Sequence, residues 1–276
     1  SEYGLFRGKK RVACRTEEEV YQALGMSYIE PELREDQGEI DEALKGGLPR
    51  VIPYGSIRGD LQVQTNWTDG EHSIEEMANA AKSFGLEYIV ITDHTKSVSI
   101  AGGADEKKLL RQMAEIDKLN KRISGITILK GAEVDIRKDG SLDIADEVLA
   151  KLDVVGVSIH YSLKMSKREM TARALRAIRN PHVDIFFHPT NRLINKRQPY
   201  EIDMEAVIKE AVKTGTILEI DANPARLDLK DEHIRMAVEC GARFAIDSDA
   251  HHKDGFQFLK YGIAQARRGW AEREDI

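Results

Sequence analysis

The chain has 276 residues, enough for one large α/β domain or two smaller ones, and 41% of them are hydrophobic. No apolar run approaches the ~20 residues that a membrane span needs, so the composition excludes a membrane-spanning protein and predicts a cytoplasmic one. The formal net charge of −6 argues weakly against a nonspecific nucleic-acid coat, because such binding needs clustered Lys and Arg.

The N-terminus and the cysteines add two expectations. The sequence starts at Ser1 and lacks an initial Met, so we expect a truncated piece of a longer protein, and it shows no secretory signal pattern. Cys14 and Cys240 lie far apart and lack a Cys-x-x-Cys partner, which predicts buried spectators rather than a disulfide or a zinc knuckle.

Residues 1–50 predict a small helical segment. Thr16-Glu17-Glu18-Glu19 has the form of a capping box and predicts a helix through Leu24, which Gly25 can end. A second, acidic helix is predicted over 39–44, and Gly46-Gly47-Leu48-Pro49 then interrupts the chain as a linker. We therefore expect a helical appendage over 1–50 and a larger domain over 51–276.

The rest of the chain alternates strands with helices. The first strand is predicted over 61–65, and Ser73-Ile74-Glu75-Glu76 is a capping box that opens a helix ending at Gly85. Six more strands are predicted near 88, 128, 154, 183, 217 and 244. This alternation predicts a parallel sheet, and the continuously apolar runs favour strands buried on both faces. A closed barrel fits better than an open sheet, since no Gly-x-Gly-x-x-Gly or Walker sequence is present.

Metal-binding residue types recur where the predicted strands end. They are Asp93-His94, Glu133, His160, His188 and Asp249-Ala250-His251. Because the carboxyl ends of barrel strands meet at one rim, this recurrence predicts a single metal centre. A mixed set of His, Asp and Glu suits Zn²⁺, Mn²⁺ or Fe²⁺, and Glu133 is placed to bridge two ions. His72, His182 and His233 do not end strands and are left out.

Two sets of motifs carry a resemblance to known families. The first set is Asp60-Leu61-x-Val63-x-Thr65 with Asp69-Gly70, Thr92-Asp93-His94, Gly131-Ala132-Glu133, Ser158-Ile159-His160, His188-Pro189-Thr190 and Ser248-Asp249-Ala250-His251. This set resembles the ordered motifs of the PHP (polymerase and histidinol phosphatase) superfamily. The second set is Tyr3-Gly4-Leu5-Phe6 and the stretches 28–35, 188–194 and 222–227, and it resembles the C-terminal part of microbial family X DNA polymerases.

The resemblance implies a distorted (β/α)7 TIM-like barrel over 51–276 that follows the tail of a polymerase thumb over 1–50. It also implies two, and up to three, divalent ions, with Mn²⁺ or Zn²⁺ expected. One ion would be held by Glu133, His160 and His188, and another by Asp69, His94 and His251. The third would share Glu133 and Asp249. Glu133, His160 and Asp249 are the implied catalytic residues.

The chain departs from the family pattern in its first strand. The family has Asp-Leu-His-x-His, whereas this chain has Gln62 and Gln64 at the two histidine positions. A neutral amide binds transition metals far more weakly than imidazole, so the third ion is expected to be weakened or lost. We expect histidine at both positions to restore that ion and to raise nuclease activity.

Three cations just beyond strand ends, Lys96, Arg192 and Arg226, are candidates for binding substrate phosphate. A solvated surface role is an equal alternative for each of them. Trp67 could stack on a base, although packing is the simpler expectation.

Three functions remain open from the sequence. The first is metal-dependent hydrolysis of DNA phosphodiesters, as a 3′-to-5′ exonuclease or 3′-end-processing activity in DNA repair. Its partners would be single-stranded 3′ ends and a polymerase core that this chain lacks, because Asp247-Ser248-Asp249 belongs to the last barrel strand. The second is a catalytically degenerate scaffold for polymerase and DNA. The third is a small-molecule phosphatase of the histidinol phosphate type, which the thumb-like segment disfavours.

Overall fold

The computed structural model describes residues 3–13 and 15–276. The predicted role of Cys14 lies outside these residues, whereas Cys240 is half-buried with a free thiol. The described N-terminal part starts with an antiparallel hairpin of β1 (Leu5–Arg7) and β2 (Lys10–Ala13). Helices α1 (Glu17–Ala23) and α2 (Glu39–Lys45) follow at the two predicted places. The hairpin was not predicted, because its strands are short and mostly exposed and show no apolar alternation.

Seven parallel strands form the central sheet in the order of the sequence. They are β3 (Gly59–Val63), β4 (Tyr88–Ile91), β5 (Thr127–Asp135), β6 (Val154–Ser158), β7 (Ile185–Phe186), β8 (Ile217–Asp221) and β9 (Phe244–Asp247). The residues after β9 return to β3 through a parallel bridge between Val63 and Ala250. The backbone N–H of Gln64 donates to the carbonyl of Ala250 at 2.9 Å. The sheet is thus a nearly closed barrel, and the predicted α/β barrel fold is confirmed.

Over the described residues 15–276, six α-helices connect successive strands of the barrel, and a seventh, α9, follows the last strand. They are α3 (Ile74–Ser83), α4 (Glu106–Asn120), α5 (Asp146–Leu149), α6 (Lys167–Ile178), α7 (Met204–Thr214), α8 (Asp231–Glu239) and α9 (Leu259–Arg268). The predicted capping box of α3 is present, since the Ser73 hydroxyl accepts from the Glu76 N–H and the Glu76 carboxylate accepts from the Ser73 N–H. Such reciprocal caps fix where a helix begins. Within the residues described, no helix is long and apolar enough to cross a membrane.

Apolar side chains from five strands pack together inside the barrel. Ile185, Phe187 and Ala245 form this inner cluster, with Leu61, Val154 and Ile217 against it. Room for Phe187 comes from Gly156, because a Cβ built there would lie 1.8 Å from the aromatic ring. The inner cluster packs the interior of the barrel, and the polar side chains at the strand ends therefore stand on a packed base.

The N-terminal part is attached to α9. Ile29, Leu33 and Ala43 form a small core with Trp270, which directly follows that helix. The guanidinium of Arg267 is 6% exposed and donates to the Ile52 carbonyl at 3.0 Å, and it pairs with Glu30 and Glu32 at 2.9 and 3.1 Å. The first 50 residues therefore share both apolar and charged contacts with the barrel.

Candidate metal centre

Glu133, in the carboxyl-terminal half of β5, is fully buried and lies among three imidazoles. Its Oε1 atom lies 3.2 Å from His160 Nε2 and 2.9 Å from His188 Nε2. Its Oε2 atom lies 3.2 Å from His94 Nδ1. Burial acts to raise the pKa of Glu133, but the charges of His94 and His160 outweigh burial and hold it well below its ordinary value. The carboxylate is therefore ionised, with its two oxygens turned toward different imidazoles.

His160 and His188 form the first side of the site with Glu133. His160 follows β6, and its Nδ1 atom lies 3.7 Å from Asp135 Oδ1. Burial acts to lower the pKa of His160, but Glu133 and Asp135 outweigh it and raise the pKa to about 10. His188 follows β7 with φ of 27°, and burial lowers its pKa, so its imidazole is neutral as a metal ligand must be.

Asp69, His94 and His251 form the second side. Asp69 Oδ2 lies 3.6 Å from His94 Nε2 and 3.7 Å from His251 Nε2. Possible ligand atoms of these three residues all lie within 4.8 Å of one another, and the same holds for His94, Glu133 and His160. His94 thus contacts both sides, through a different ring nitrogen on each. The sequence analysis assigned it to the second side alone.

The third side, at the ends of β8 and β9, is built differently. Asp249 has φ of 49°, and its Oδ2 atom lies 3.5 Å from Arg226 Nε while its Oδ1 atom lies 3.7 Å from His251 Nδ1. Arg226 Nε also lies 3.4 Å from Asp221 Oδ2. Arg226 Nη1 donates to Asn191 Oδ1 at 2.9 Å. A guanidinium therefore occupies the part of the rim where the other two sides offer imidazoles.

Gln62 lies in β3 and Gln64 directly follows that strand, and both are fully buried. The Gln64 side-chain amide donates to Glu133 Oε2 at 2.9 Å. Neither amide atom of Gln62 has a hydrogen-bond partner in the part of the chain that the structure describes. The donor sets of the first two sides fit divalent ions, because carboxylate and imidazole atoms converge there. The third side does not fit one, because N–H donors already face both of its carboxylates.

The other two candidate phosphate-binding cations have protein partners. Lys96 pairs with Glu106 at 2.6 Å. Arg192 donates from Nε to the Arg226 carbonyl at 2.8 Å and from Nη2 to the Leu227 carbonyl. Arg192 thus holds the backbone of the loop that carries Arg226. Trp67 is half-buried and packs against the hydrophobic core.

Sequence reasoning grouped Asp93 with the metal-binding residues, whereas the structure gives it a positioning role, and it did not identify the buried Asp135 and Asp221. Asp93 accepts hydrogen bonds from Thr65, Thr68 and Gln112 and so anchors the loop that leads to Asp69. Asp221 is the last residue of β8, and the sequence analysis assigned no ligand to the end of that strand. Asp135 lies two residues after Glu133, on the same face of β5. Applying the strand-end rule to every strand would have found Asp221, and the two-residue period would have found Asp135.

Further buried carboxylates lie within or at the ends of β3, β8 and β9. Burial, together with the charge of neighbouring carboxylates, raises the pKa values of Glu219, Asp221 and Asp247 well above their ordinary values. Burial raises the pKa of Asp60 to about 7, although its carboxylate accepts from the Ser248 hydroxyl. These groups contrast with Glu133, the buried carboxylate that its imidazole neighbours keep ionised.

Comparisons with known proteins relate the chain to two protein families. A family model described as the DNA polymerase beta thumb matches residues 1–35, and a model described as the PHP domain matches residues 60–223. The chain is 42% identical over 261 residues to the DNA polymerase/3′-5′ exonuclease PolX of Bacillus subtilis (strain 168). This match covers 95% of the chain but 45% of the relative, so the chain spans less than half of that protein's length.

Two further matches cover the barrel. A protein of Thermoanaerobacter sp. (strain X514), described as a probable phosphatase, is 33% identical over 204 residues, which are 69% of this chain and 78% of that protein. A solved structure of histidinol phosphate phosphatase from Lactococcus lactis subsp. lactis has a TM-score of 0.56 at 15% identity and covers 78% of this chain and 95% of that one. That likeness shows a shared barrel fold.

Proposed function

Because the chain belongs to the PHP domain family, we propose that it is a metal-dependent phosphoesterase that hydrolyses phosphodiester bonds at the 3′ ends of DNA. The observation that carries the proposal is the position of Glu133, whose two carboxylate oxygens face imidazoles on different sides of the rim. A carboxylate in that position can bridge two divalent ions.

Apart from Glu133, which would bridge the two ions, each ion would have its own ligands. Glu133, His160 and His188 would hold one, and Asp69, His94 and His251 would hold the other, with Mn²⁺ and Zn²⁺ the proposed ions. Such a pair activates water and stabilises the leaving oxygen of a phosphoester. Proposed catalytic residues are Glu133, which carries the shared negative charge, His160, which Asp135 orients, and Asp249, which orients both His251 and Arg226.

Arg226 is the cation best placed to bind the substrate phosphate. Its side chain is 16% exposed at the rim, where its Nε atom lies 3.5 Å from Asp249 Oδ2. A guanidinium binds phosphate oxygens through its planar fork of donors. Lys96 and Arg192 have partners that compete with this role.

DNA is the proposed substrate because a thumb-type segment precedes the barrel and because the Bacillus subtilis relative is described as a polymerase and 3′-5′ exonuclease. We place the thumb tail and linker at 1–50 and the phosphoesterase domain at 51–276. The proposed partners are single-stranded 3′ ends of DNA and a polymerase core, which together imply a cytoplasmic location and a role in DNA repair.

A small-molecule phosphatase is the second candidate. The 33% identity to the Thermoanaerobacter protein, described as a probable phosphatase, favours it. The thumb-type segment has no role in such an enzyme and counts against it.

One experiment separates these functions. The protein is incubated in Mn²⁺ with single-stranded DNA labelled at its 5′ end, and in parallel with p-nitrophenyl phosphate and histidinol phosphate. We expect a ladder of shortened DNA that EDTA abolishes. Hydrolysis of the monoesters alone would identify the small-molecule enzyme. No hydrolysis of any substrate, with metal bound, would leave the scaffold as the function.

A further inference from the structure

His251, the imidazole nearest to Asp249 on the third side, is already a proposed ligand of the second side. We propose that Arg226 is a built-in cation that, together with Gln64, excludes a metal ion from this side, so that the chain binds two ions and supplies the third positive charge itself. The inference rests on the proposed function, since it concerns how many ions the same rim holds.

The loop that carries Arg226 holds it in a defined position. The carbonyls of Arg226 and Leu227 accept hydrogen bonds from the Arg192 guanidinium. The backbone N–H of Ile194 donates to the Ala225 carbonyl at 2.7 Å. The Asn191 Oδ1 atom accepts a hydrogen bond from Arg226 Nη1 at 2.9 Å. These contacts tie the loop after β8 to the loop after β7, so the guanidinium is not a mobile surface group.

The charge of Arg226 is directed at the acidic residues of this side. Its Nε atom lies 3.4 Å from Asp221 Oδ2 and 3.5 Å from Asp249 Oδ2. A divalent ion bound to the same Asp249 oxygen would stand close to the guanidinium, and like charges at that separation repel strongly in a buried site. Arg226 therefore neutralises the carboxylate that a third ion would need.

Gln64 engages Glu133, the other carboxylate that a third ion would need. Its amide N–H donates to Glu133 Oε2 at 2.9 Å, on the oxygen that also faces His94. An amide in this orientation presents hydrogen toward the carboxylate, whereas an unprotonated imidazole nitrogen would present a lone pair to a metal. Both carboxylates that would hold a third ion are thus engaged by N–H donors of the protein.

A fixed guanidinium also changes how the phosphate is held. The charge of an arginine persists at every pH at which the protein is folded, and its position is independent of the concentration of metal. Since the Arg226 side chain is 16% exposed at the rim, a phosphate oxygen can reach its guanidinium whether or not the two metal sides are filled. Binding of phosphate should therefore survive removal of metal.

The test counts bound Mn²⁺ per chain by equilibrium dialysis and elemental analysis, with electron paramagnetic resonance as a second readout. We expect two ions in the unchanged protein. Against the sequence-based expectation that the two histidines alone restore the third ion, we also expect two in Gln62→His/Gln64→His, because Arg226 still faces Asp249. The triple variant Gln62→His/Gln64→His/Arg226→Gln should bind three. The matched control Gln62→His/Gln64→His/Arg226→Lys keeps the positive charge and should stay at two.

The outcomes separate this inference from the function on which it rests. Three ions in the unchanged protein, or in Gln62→His/Gln64→His, would overturn the inference and leave the metal-dependent function standing. No bound ion in the unchanged protein would instead refute the proposed function. If Arg226→Gln prevents folding, the count for Gln62→His/Gln64→His still decides: two supports the exclusion of metal by Arg226, and three refutes it.

A second measurement follows phosphate binding in EDTA by calorimetry, with inorganic phosphate as the probe. Arg226→Gln should weaken binding at least tenfold, and Arg226→Lys should weaken it less. Equal affinity in all three proteins would show that the guanidinium does not hold the phosphate.

Discussion

At Glu133 a single side chain lies within 3.2 Å of nitrogen atoms from three histidines. The sequence predicted which residues would gather here, because strand ends of a barrel share one rim. It could not predict the partners of Gln64 and Arg226, since these contacts depend on the registers of β3 and β5 against β4 and on the loop after β8. The sequence thus predicts which residues lie at the rim, whereas their hydrogen-bond and ion-pair partners follow only from the tertiary structure.

The imidazole of His188 is 1% exposed and lies 2.9 Å from Glu133 at the rim. Removing it should therefore affect the metal centre more than the barrel core. We expect His188→Asn to reduce Mn²⁺-dependent hydrolysis by orders of magnitude. Asparagine is chosen because it tolerates the positive φ of this position better than alanine does. Rates on labelled DNA and thermal unfolding of the metal-free variant are the two measurements. Unchanged activity, or a protein that no longer folds, would contradict the assignment.

The pKa of His160 should make the metal-free protein less stable at alkaline pH. Burial acts to lower it, but Glu133 and Asp135 raise it to about 10 in the fold. A raised pKa gives stability that is complete below the unfolded value of ~6.5 and is lost as pH rises through the folded value. Urea unfolding in EDTA should show a loss of at least about 1.4 kcal/mol, the free energy of one pKa unit, between pH 7 and pH 10.

The matched variant for this measurement is His160→Asn, which cannot take up the proton. Its stability should change less over the same pH range than that of the unchanged protein. Parallel pH curves for the two proteins would show that His160 is not the group responsible.

Among the elements, the barrel strands could be predicted from the sequence, whereas the N-terminal hairpin could not. The apolar runs at 154–157 and 183–187 are the kind that a strand buried on both faces requires, and β6 and β7 lie there. The hairpin of β1 and β2 lacks such runs, and its turn relies on Gly8 at φ of 62°. Local patterns therefore predict elements that form the core better than elements that lie on its surface.

The fit between β6 and the end of β7 can be tested directly. A Cβ at Gly156 would lie 1.8 Å from the Phe187 ring, so Gly156→Ala should lower the free energy of unfolding by about 1–3 kcal/mol through overpacking. In a Phe187→Leu background the added methyl has more room, and the same change should cost less. Urea unfolding of all four proteins gives the coupling. Additive effects would mean that the two positions do not contact each other.

At the scale of the whole molecule, the N-terminal part and the barrel behave as neighbours that share an interface on α9. The family models divide the chain between a thumb segment and a PHP domain, and the sequence also predicted a division near residue 50. The contacts across this division were not predictable, because Arg267 and Trp270 are separated from their partners by more than 200 residues.

Arg267 should be the main polar link across this interface. Arg267→Met keeps an apolar side chain of similar length but loses the bonds to the Ile52 carbonyl and to Glu30 and Glu32. We expect limited proteolysis over residues 46–58 to become several-fold faster while the barrel remains resistant. Lys260→Met, an exposed change on the same helix, is the control and should leave cleavage unchanged. Equal cleavage of both variants would contradict the assigned role.

The two-sided position of Glu133 has a consequence for how the proposed ions are taken up. A ligand common to both ions makes their binding reciprocal, so each ion changes the affinity for the other by the same factor. Glu133→Gln should therefore lose both ions together, while Asp69→Asn, which lies on one side only, should lose one and weaken the other. Mn²⁺ binding isotherms of the two variants will show whether loading of the centre is cooperative, and two independent, unchanged binding steps in Glu133→Gln would exclude it.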